Sequence, residues 1–207
     1  MKVLIACEES QRVCLAFRAK GHEAYSCDIL PSSGGHPEWH IQADAIQTMY
    51  SDKWDLIIAH PPCTRLCRSG QSWLHTKNEE YNRKKHEEQQ EAIKFFMEFV
   101  RYAEKTGCKM AIENPIGIMS TLYRKPDQIY NPYDFEGETE CKRTCLWLFN
   151  GLKPLKHSQT LPPKLRTNNG HKAIFNGKQY RWNDPEVARL RSRTPFGVAK
   201  AMAEQWG

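Results

Sequence analysis

The chain has 207 residues, of which 40% are hydrophobic, and it carries a formal net charge of +6. This length is typical of one domain with room for a sizeable buried core. No apolar run approaches the roughly 18 residues that a membrane-spanning helix needs. Charged residues follow the first apolar run too soon for a secretory signal. We therefore expect a soluble, cytoplasmic protein.

Short apolar runs alternate with helical patterns along the chain. The runs at 2–7, 22–29, 55–59, 109–112 and 144–149 predict strands, and the patterns at 10–20, 78–105 and 194–206 predict helices. The dipeptide Asn176-Gly177 predicts a hairpin turn. Strands that alternate with helices indicate an α/β fold, in which a Rossmann-like, doubly wound sheet is mainly parallel.

Eight cysteines raise the question of disulfides or a metal site. In an intracellular chain of this length, reduced thiols are favoured. Two pairs, Cys63/Cys67 and Cys141/Cys145, have a C-x3-C spacing, whereas structural zinc sites more often use C-x2-C. We therefore expect no bound metal.

Five candidate reactive groups follow or end predicted strands. Glu8 and Glu9 come after the first strand, Asp28 ends the second, Cys63 follows the third, and Glu113 follows the fourth. Ligands of doubly wound sheets bind beyond the carboxyl ends of the strands. Each residue alone also fits a plainer role, namely a buried thiol for Cys63 and a turn or cap for an acid. Their coincidence at one edge predicts a site.

The stretch around Cys63 suits an activated thiol. Two prolines before it fix the backbone and stiffen the loop. Arg65 and Arg68 are close in sequence, and neighbouring cations lower the pKa of a cysteine below its usual value of about 8.5. Cys63 is therefore a candidate nucleophile.

The segment from 153 to 193 is strongly basic, with ten lysines and arginines against two acids. Phe175, Tyr180 and Trp182 lie among these charges. Interleaved cations and aromatic rings favour contact with a nucleic-acid backbone. The alternative is a solvated basic loop region.

Taken in order, the motifs resemble those of DNA cytosine-5 methyltransferases, which use S-adenosylmethionine. The family's Pro-Cys-Gln loop is similar to PPCTRLCRSG at 61–70, and its Glu-Asn-Val motif to ENPIGIMS at 113–120. Its Arg-x-Arg strand motif resembles CKRTCLWL at 141–148, and its closing helix resembles TPFGVAKAMAEQW at 194–206. The similarity spans nearly the whole chain and is greatest to short, phage-type members.

The resemblance implies a class I methyltransferase fold and methyl transfer to C5 of cytosine. Cys63 would attack C6 of the ring, and Glu113 would hydrogen-bond the ring edge near N3 and the amino group. Arg143 would contact the base or order the catalytic loop. A cytosine in a duplex would have to be flipped out of the stack.

The resemblance also implies a set of cofactor-binding residues. The loop after the first strand would meet the methionine part, an acid would hold the ribose, another acid would meet the adenine amino group, and an apolar residue would pack on the adenine face. The loop residues are Glu8, Glu9 and Ser10, the acid at the ribose is Asp28, the acid at the adenine amino group is Asp44, and the apolar residue is Ile29. Pro61, close to Cys63 in sequence, completes the set.

The chain departs from the family in two ways that matter for function. Cys7 and Glu9 occupy glycine positions of the family's first loop, Phe-x-Gly-x-Gly. Only about 40 residues stand where the family has a target-recognition region, too few for a substantial separate domain. We therefore divide the chain into three parts. These are a catalytic core at 1–150 that binds S-adenosylmethionine, a short basic region at 151–191, and a C-terminal helix at 192–207 that returns to the core.

A short basic region predicts relaxed or short sequence specificity, because phosphate contacts position a protein without specifying bases. The residues expected to contact nucleic acid are Arg65, Arg68, Lys142, Lys172, Lys178 and Arg181. DNA, single- or double-stranded, is the expected partner. Two alternatives remain: the same fold acting on a free pyrimidine nucleotide or RNA, and a non-catalytic relative that only binds nucleic acid.

Overall fold

The computed structural model of the protein describes residues 1–68, 79–166, 173–175, 178–180 and 190–207. In these ranges the strands are β1 Lys2–Ala6, β2 Glu23–Asp28, β3 His40–Gln42, β4 Leu56–Ala59, β5 Lys109–Pro115, β6 Gln128–Tyr130, β7 Thr144–Phe149, β8 Ala173–Phe175 and β9 Lys178–Tyr180. The α-helices are α1 Arg12–Ala19, α2 Ala45–Ser51, α3 Glu79–Thr106, α4 Met119–Leu122 and α5 Phe196–Trp206.

The main sheet has seven strands in the order β3-β2-β1-β4-β5-β7-β6. The pairs from β3 to β5 are parallel, whereas β7 runs antiparallel to both of its neighbours, β5 and β6. The predicted α/β fold with a mainly parallel sheet is therefore confirmed. The chain inserts β7 between β5 and β6, a reversal that the strand pattern alone does not predict.

Helices cover both faces of the sheet, which explains why β4 is buried along its whole length. On one face, α1 and α5 contribute Val13, Phe17 and Met202 to the core. On the other face, α3 contributes Phe96 and Phe99 to a second cluster, which α2 also joins. The carboxyl ends of β1, β4 and β5 are left at one edge between these layers.

Most of the predicted elements are present, with shifted ends. The helix expected from residue 10 begins at Arg12, because Gln11 has a left-handed φ of 58°. The strand expected to end at 112 continues to Pro115, which pairs with Thr144 of β7. The pattern does not reveal β3, α2, α4 or β6, which have three to seven residues each and are too short for a clear periodicity.

The strands on either side of the predicted hairpin turn, β8 and β9, pair antiparallel, whereas Asn176 and Gly177 themselves lie outside the described residues. The predicted C-terminal helix is also confirmed, and its buried side chains join the α1 face of the core. In the described ranges, no helix has both the length and the apolarity to span a membrane.

Candidate active site

Cys63 and Glu113 lie at the carboxyl edge of two neighbouring parallel strands. Ala59 of β4 pairs with Ile112 of β5, so Glu113 is one residue beyond that pair and Cys63 is four residues beyond it. The negative charge of Glu113 reaches Cys63 and contributes to raising the pKa of its thiol. The structure therefore brings together the two residues that the sequence singles out most strongly.

The loop that carries Cys63 is bonded to the segment that carries Glu113. Asn114 Nδ2 donates to the carbonyl oxygen of Pro61 at 2.7 Å, and the Asn114 side chain is buried. Further along, the Ile118 amide donates to Leu66 O at 2.9 Å. A Cβ on Gly117 would lie 2.0 Å from Leu66 O, so this close approach of two backbones requires glycine.

A tight turn places Cys67 against Cys63. The backbone amide of Cys67 donates to Cys63 O at 2.9 Å, which sets the two thiols one helical turn apart. A hydrogen bond with the Cys67 side chain, followed by burial and by the charge of Glu113, raises the pKa of the Cys63 thiol, and Lys142 partly opposes this. In the free protein, Cys63 is therefore held as a neutral thiol.

Glu113 is paired with His60, a residue that the sequence analysis missed. His60 Nδ1 lies 3.1 Å from Glu113 Oε2, and the two side chains are only 10% and 19% exposed. Burial alone would raise the pKa of Glu113, but the hydrogen bond and charge of His60, with the charge of Lys142, outweigh it and lower that pKa. A histidine directly after the buried run of β4 was the signal that could have pointed to this pair.

A shallow pocket opens beside Glu113 towards the start of α5. Its charged and polar lining includes Glu113, Lys142, Thr144, Arg193 and Thr194. Lys142, which the sequence assigned to nucleic-acid contact, therefore lies beside Glu113, and its Nζ also donates to Arg191 O at 2.9 Å.

Arg143 has a different environment from Lys142. Its charge acts on Cys145, as the charge of Glu113 also does, and Cys145 is buried in the cluster on the α3 face. Both residues precede β7, and of the two it is Lys142 that lines the pocket beside Glu113.

Of the other proposed nucleic-acid contacts, two have described side chains. Arg65 Nε lies 2.6 Å from Glu88 Oε2, so its guanidinium is paired with α3. Arg68 is exposed, and its backbone amide bonds to Ile116 O. Lys172 and Arg181 lie outside the described residues, as does the side chain of Lys178.

The loop after β1 adopts a glycine-like conformation although it lacks the family's glycines. Cys7 has a φ of 61°, in the left-handed region that glycine prefers. Glu8 is buried and accepts the amides of Val13 and Cys14 at 2.7 and 3.2 Å, so it caps α1. Glu9 Oε1 is buried and has no hydrogen-bond partner in the described part of the chain.

A second loop covers the first. The Ser33 amide donates to Glu9 O at 2.9 Å, and the side chain of Gln11 bonds to both Ser32 and His36. The backbone of Ser10 lies under Gly34, where a Cβ would come within 2.8 Å of Ser10 O. The 32–36 loop is therefore fastened over residues 9–11.

The acids assigned to the ribose and adenine cap local structure. Asp28 Oδ1 accepts the Leu30 amide, and Asp44 Oδ1 accepts the Gln47 amide at the start of α2, each at 2.9 Å. Both charges reach Cys7, whose thiol pKa is raised by burial and then by these acids. Ile29, directly after Asp28, is 71% exposed. These residues meet at the carboxyl ends of β1 and β2.

No protein-family model matches the chain, and no curated protein matches it significantly. Among the described side chains, no group of three or more His, Cys, Asp or Glu residues is placed to hold a metal ion. The eight cysteines all lie within the described residues and form no disulfide.

Proposed function

We propose that this protein transfers a methyl group from S-adenosylmethionine to C5 of cytosine in DNA, through a covalent adduct on Cys63. The observation that carries the proposal is the placement of Cys63 and Glu113 at the ends of adjacent strands, in loops that Asn114 and Gly117 hold together. The seven-stranded sheet with one reversed strand next to its edge also supports a methyltransferase of class I.

The residues around the first loop fit the cofactor. The buried, unpartnered Glu9 Oε1 would accept a hydrogen bond from the ammonium group of the methionine part. The exposed Ile29 offers an apolar face to adenine, beside carboxylates of Asp28 and Asp44 that can accept from hydroxyl and amino groups. When bound, the cofactor supplies an electrophilic methyl group.

Glu113 prepares the ring for attack. Because its pKa is lowered, it is ionised near neutral pH and accepts a hydrogen bond from the cytosine amino group, and a second one from N3 once N3 has taken up the proton that the Cys63 thiol releases. These bonds stabilise the ring as charge develops on it during attack by Cys63 at C6. In the free protein, the negative charge of Glu113 disfavours the Cys63 thiolate. Contact with the ring edge would offset that charge, so binding of cytosine would promote loss of the thiol proton.

Cys63 then acts as a covalent catalyst. The bond between its sulfur and C6 makes C5 nucleophilic, and C5 takes the methyl group. The sulfonium sulfur of the cofactor would leave as a neutral thioether. A proton would then pass from C5 to water, which restores the C5–C6 double bond and expels the Cys63 sulfur. Lys142, which acts on both Cys63 and Glu113, would hold positive charge beside the reacting ring.

The test is transfer of radiolabel from S-adenosylmethionine to duplex DNA, single-stranded DNA, RNA and dCMP in parallel. We expect label in DNA, loss of transfer in Cys63→Ser, and a covalent complex with DNA that contains 5-fluorocytosine. Cys108→Ser is the matched control, since this half-buried thiol precedes β5 at the opposite end of that strand. Label confined to RNA or dCMP would instead identify the substrate as one of those.

A non-catalytic binding protein is the competing function, and the raised pKa of Cys63 favours it. Label in none of the four substrates, together with DNA binding that weakens steeply with salt, would establish binding without transfer. Transfer that persists in Cys63→Ser would remove Cys63 as the nucleophile.

A further inference from the structure

An exposed aromatic ring and two arginines meet at the start of α5. Phe196, the first residue of that helix, is 67% exposed. The guanidinium carbon of Arg12, at the start of α1, lies 3.9 Å from the centre of the Phe196 ring, and Arg12 Nη1 donates to Thr194 O at 3.4 Å. Arg12 therefore stacks on the ring and still leaves most of it open to solvent.

The second arginine, Arg193, lines the pocket beside Glu113, as Lys142 also does. Its Nη2 donates to Ser33 Oγ at 3.2 Å, whereas its Nε is buried and has no hydrogen-bond partner in the described part of the chain. Buried N–H groups without an acceptor are uncommon in native proteins. The Arg193 guanidinium is therefore placed where an added acceptor would complete its hydrogen bonds.

Both guanidinium groups can still accept an outside partner. Among the described residues, neither Arg12 nor Arg193 is paired with a carboxylate, and each uses a single N–H group in its hydrogen bond. An arginine carries several such donors. Glu138 lies in the same region, but its Oε1 accepts the Gly197 amide at 2.9 Å and so caps α5.

This combination of groups fits a strand of nucleic acid. Proteins that hold single strands stack bases on aromatic rings and on arginine planes, and they bind the phosphates with cations. Pro195 lines the pocket that contains Glu113, and Phe196 follows it directly. A strand with one base in that pocket would therefore pass its next nucleotide over the start of α5.

We propose that Arg12, Arg193 and Phe196 form a stacking platform for the nucleotide next to the target base. The neighbouring base stacks on the Phe196 ring, and its phosphate binds the Arg193 guanidinium. That the target is a cytosine in the pocket rests on the proposed function, whereas the platform contacts need no methyl transfer. The sequence analysis expected none of these three residues to contact nucleic acid.

The test of stacking is the affinity of the full chain for two labelled single strands of about 12 nucleotides, measured by fluorescence anisotropy. One strand has a central cytosine, and the other lacks the bases on both sides of that cytosine. Phe196→Ala should weaken binding of the intact strand about tenfold and leave binding of the abasic strand unchanged. Phe196→Leu should act in the same direction, because leucine keeps an apolar contact for Arg12 but has no ring. Tyr50→Ala, on α2 at the opposite face of the sheet, removes an exposed ring and should change neither affinity.

The test of the phosphate contact is the salt dependence of the same binding. Arg193→Ala should weaken binding of both strands and reduce the slope of log affinity against log salt by about 1. Arg193→Lys should keep the slope of wild type, because it keeps the charge. Arg101→Ala, on α3, removes an arginine whose side chain is 54% exposed and should leave the slope unchanged.

Thermal unfolding establishes that each variant is folded. Equal effects of Phe196→Ala on the two strands would overturn the platform, and so would an unchanged salt slope in Arg193→Ala or a wild-type protein that binds neither strand. Binding that depends on Phe196, in a protein that transfers no label, would uphold the platform and reject the methyltransferase. Transfer to DNA with unaltered binding in both variants would do the reverse.

Discussion

The Asn114 side chain donates to the carbonyl oxygen of Pro61 across 2.7 Å and joins the segments that carry Glu113 and Cys63. Asn114→Ala leaves a buried carbonyl without its donor, which should lower the free energy of unfolding by about 1–3 kcal/mol. Urea denaturation measures the loss. The exposed Gln90 on α3 supplies the control, since Gln90→Ala should change stability by less than about 0.5 kcal/mol. Equal effects of the two would show that the bond does not stabilise the site.

At position 7 we expect a glycine variant to be more stable than an alanine variant, which is the reverse of the usual order of stability. With a φ of 61°, any residue with a Cβ is strained there, by about 1–2 kcal/mol. Cys7→Gly should therefore be more stable than Cys7→Ala by about 1 kcal/mol in thermal unfolding. At Cys27, within β2, the same pair should show the ordinary order, with alanine more stable. Alanine ahead of glycine at residue 7 would contradict the left-handed backbone.

Gly117→Ala should separate the loop that carries Cys63 from the segment after β5. The new Cβ would meet Leu66 O at 2.0 Å and Cys67 Cα at 2.9 Å, and backbone atoms cannot give way cheaply. We expect a larger loss of stability than in Gly21→Ala, where the strain of a positive φ acts in open space. Thermal unfolding measures the difference, and faster alkylation of Cys63 in Gly117→Ala would report the loosened loop.

Cys67→Ala should make Cys63 more reactive. Because the Cys67 side chain is the largest cause of the raised thiol pKa, its removal should shift the pH midpoint of Cys63 alkylation by iodoacetamide to lower pH. Peptide mass spectrometry follows the labelling. Cys141→Ala, in the other C-x3-C pair, removes an exposed thiol and should leave the midpoint unchanged.

The raised pKa of the Cys63 thiol also predicts how the stability of the folded protein changes with pH. A thiol whose folded pKa is raised stabilises the folded state fully below its unfolded pKa of about 8.5, and this stability is lost as pH rises above that value. The loss on the alkaline side should be smaller in Cys67→Ala than in wild type. An identical alkaline slope in urea titrations would show that Cys67 does not control the Cys63 thiol.

Local patterns in the sequence were sufficient for the main strands and helices and for the position of Cys63. A fully apolar run such as 56–59 must be buried, and Pro61 and Pro62 must end it, because proline has no amide to donate. Parallel strands place their carboxyl ends at one edge, so Glu113 was expected near Cys63 before any contact was known.

Tertiary structure decided which side chains share a face and which carboxylates are paired. Lys142 and not Arg143 lines the pocket with Glu113, and the pairing of β7 with β5 is what brings this segment to that carboxylate. His60 meets Glu113 across 53 positions of sequence, and Cys7 takes a left-handed backbone in the loop after β1. Such contacts depend on strand order and register, which are fixed by the packing of the whole core, so no local pattern of residues contains them.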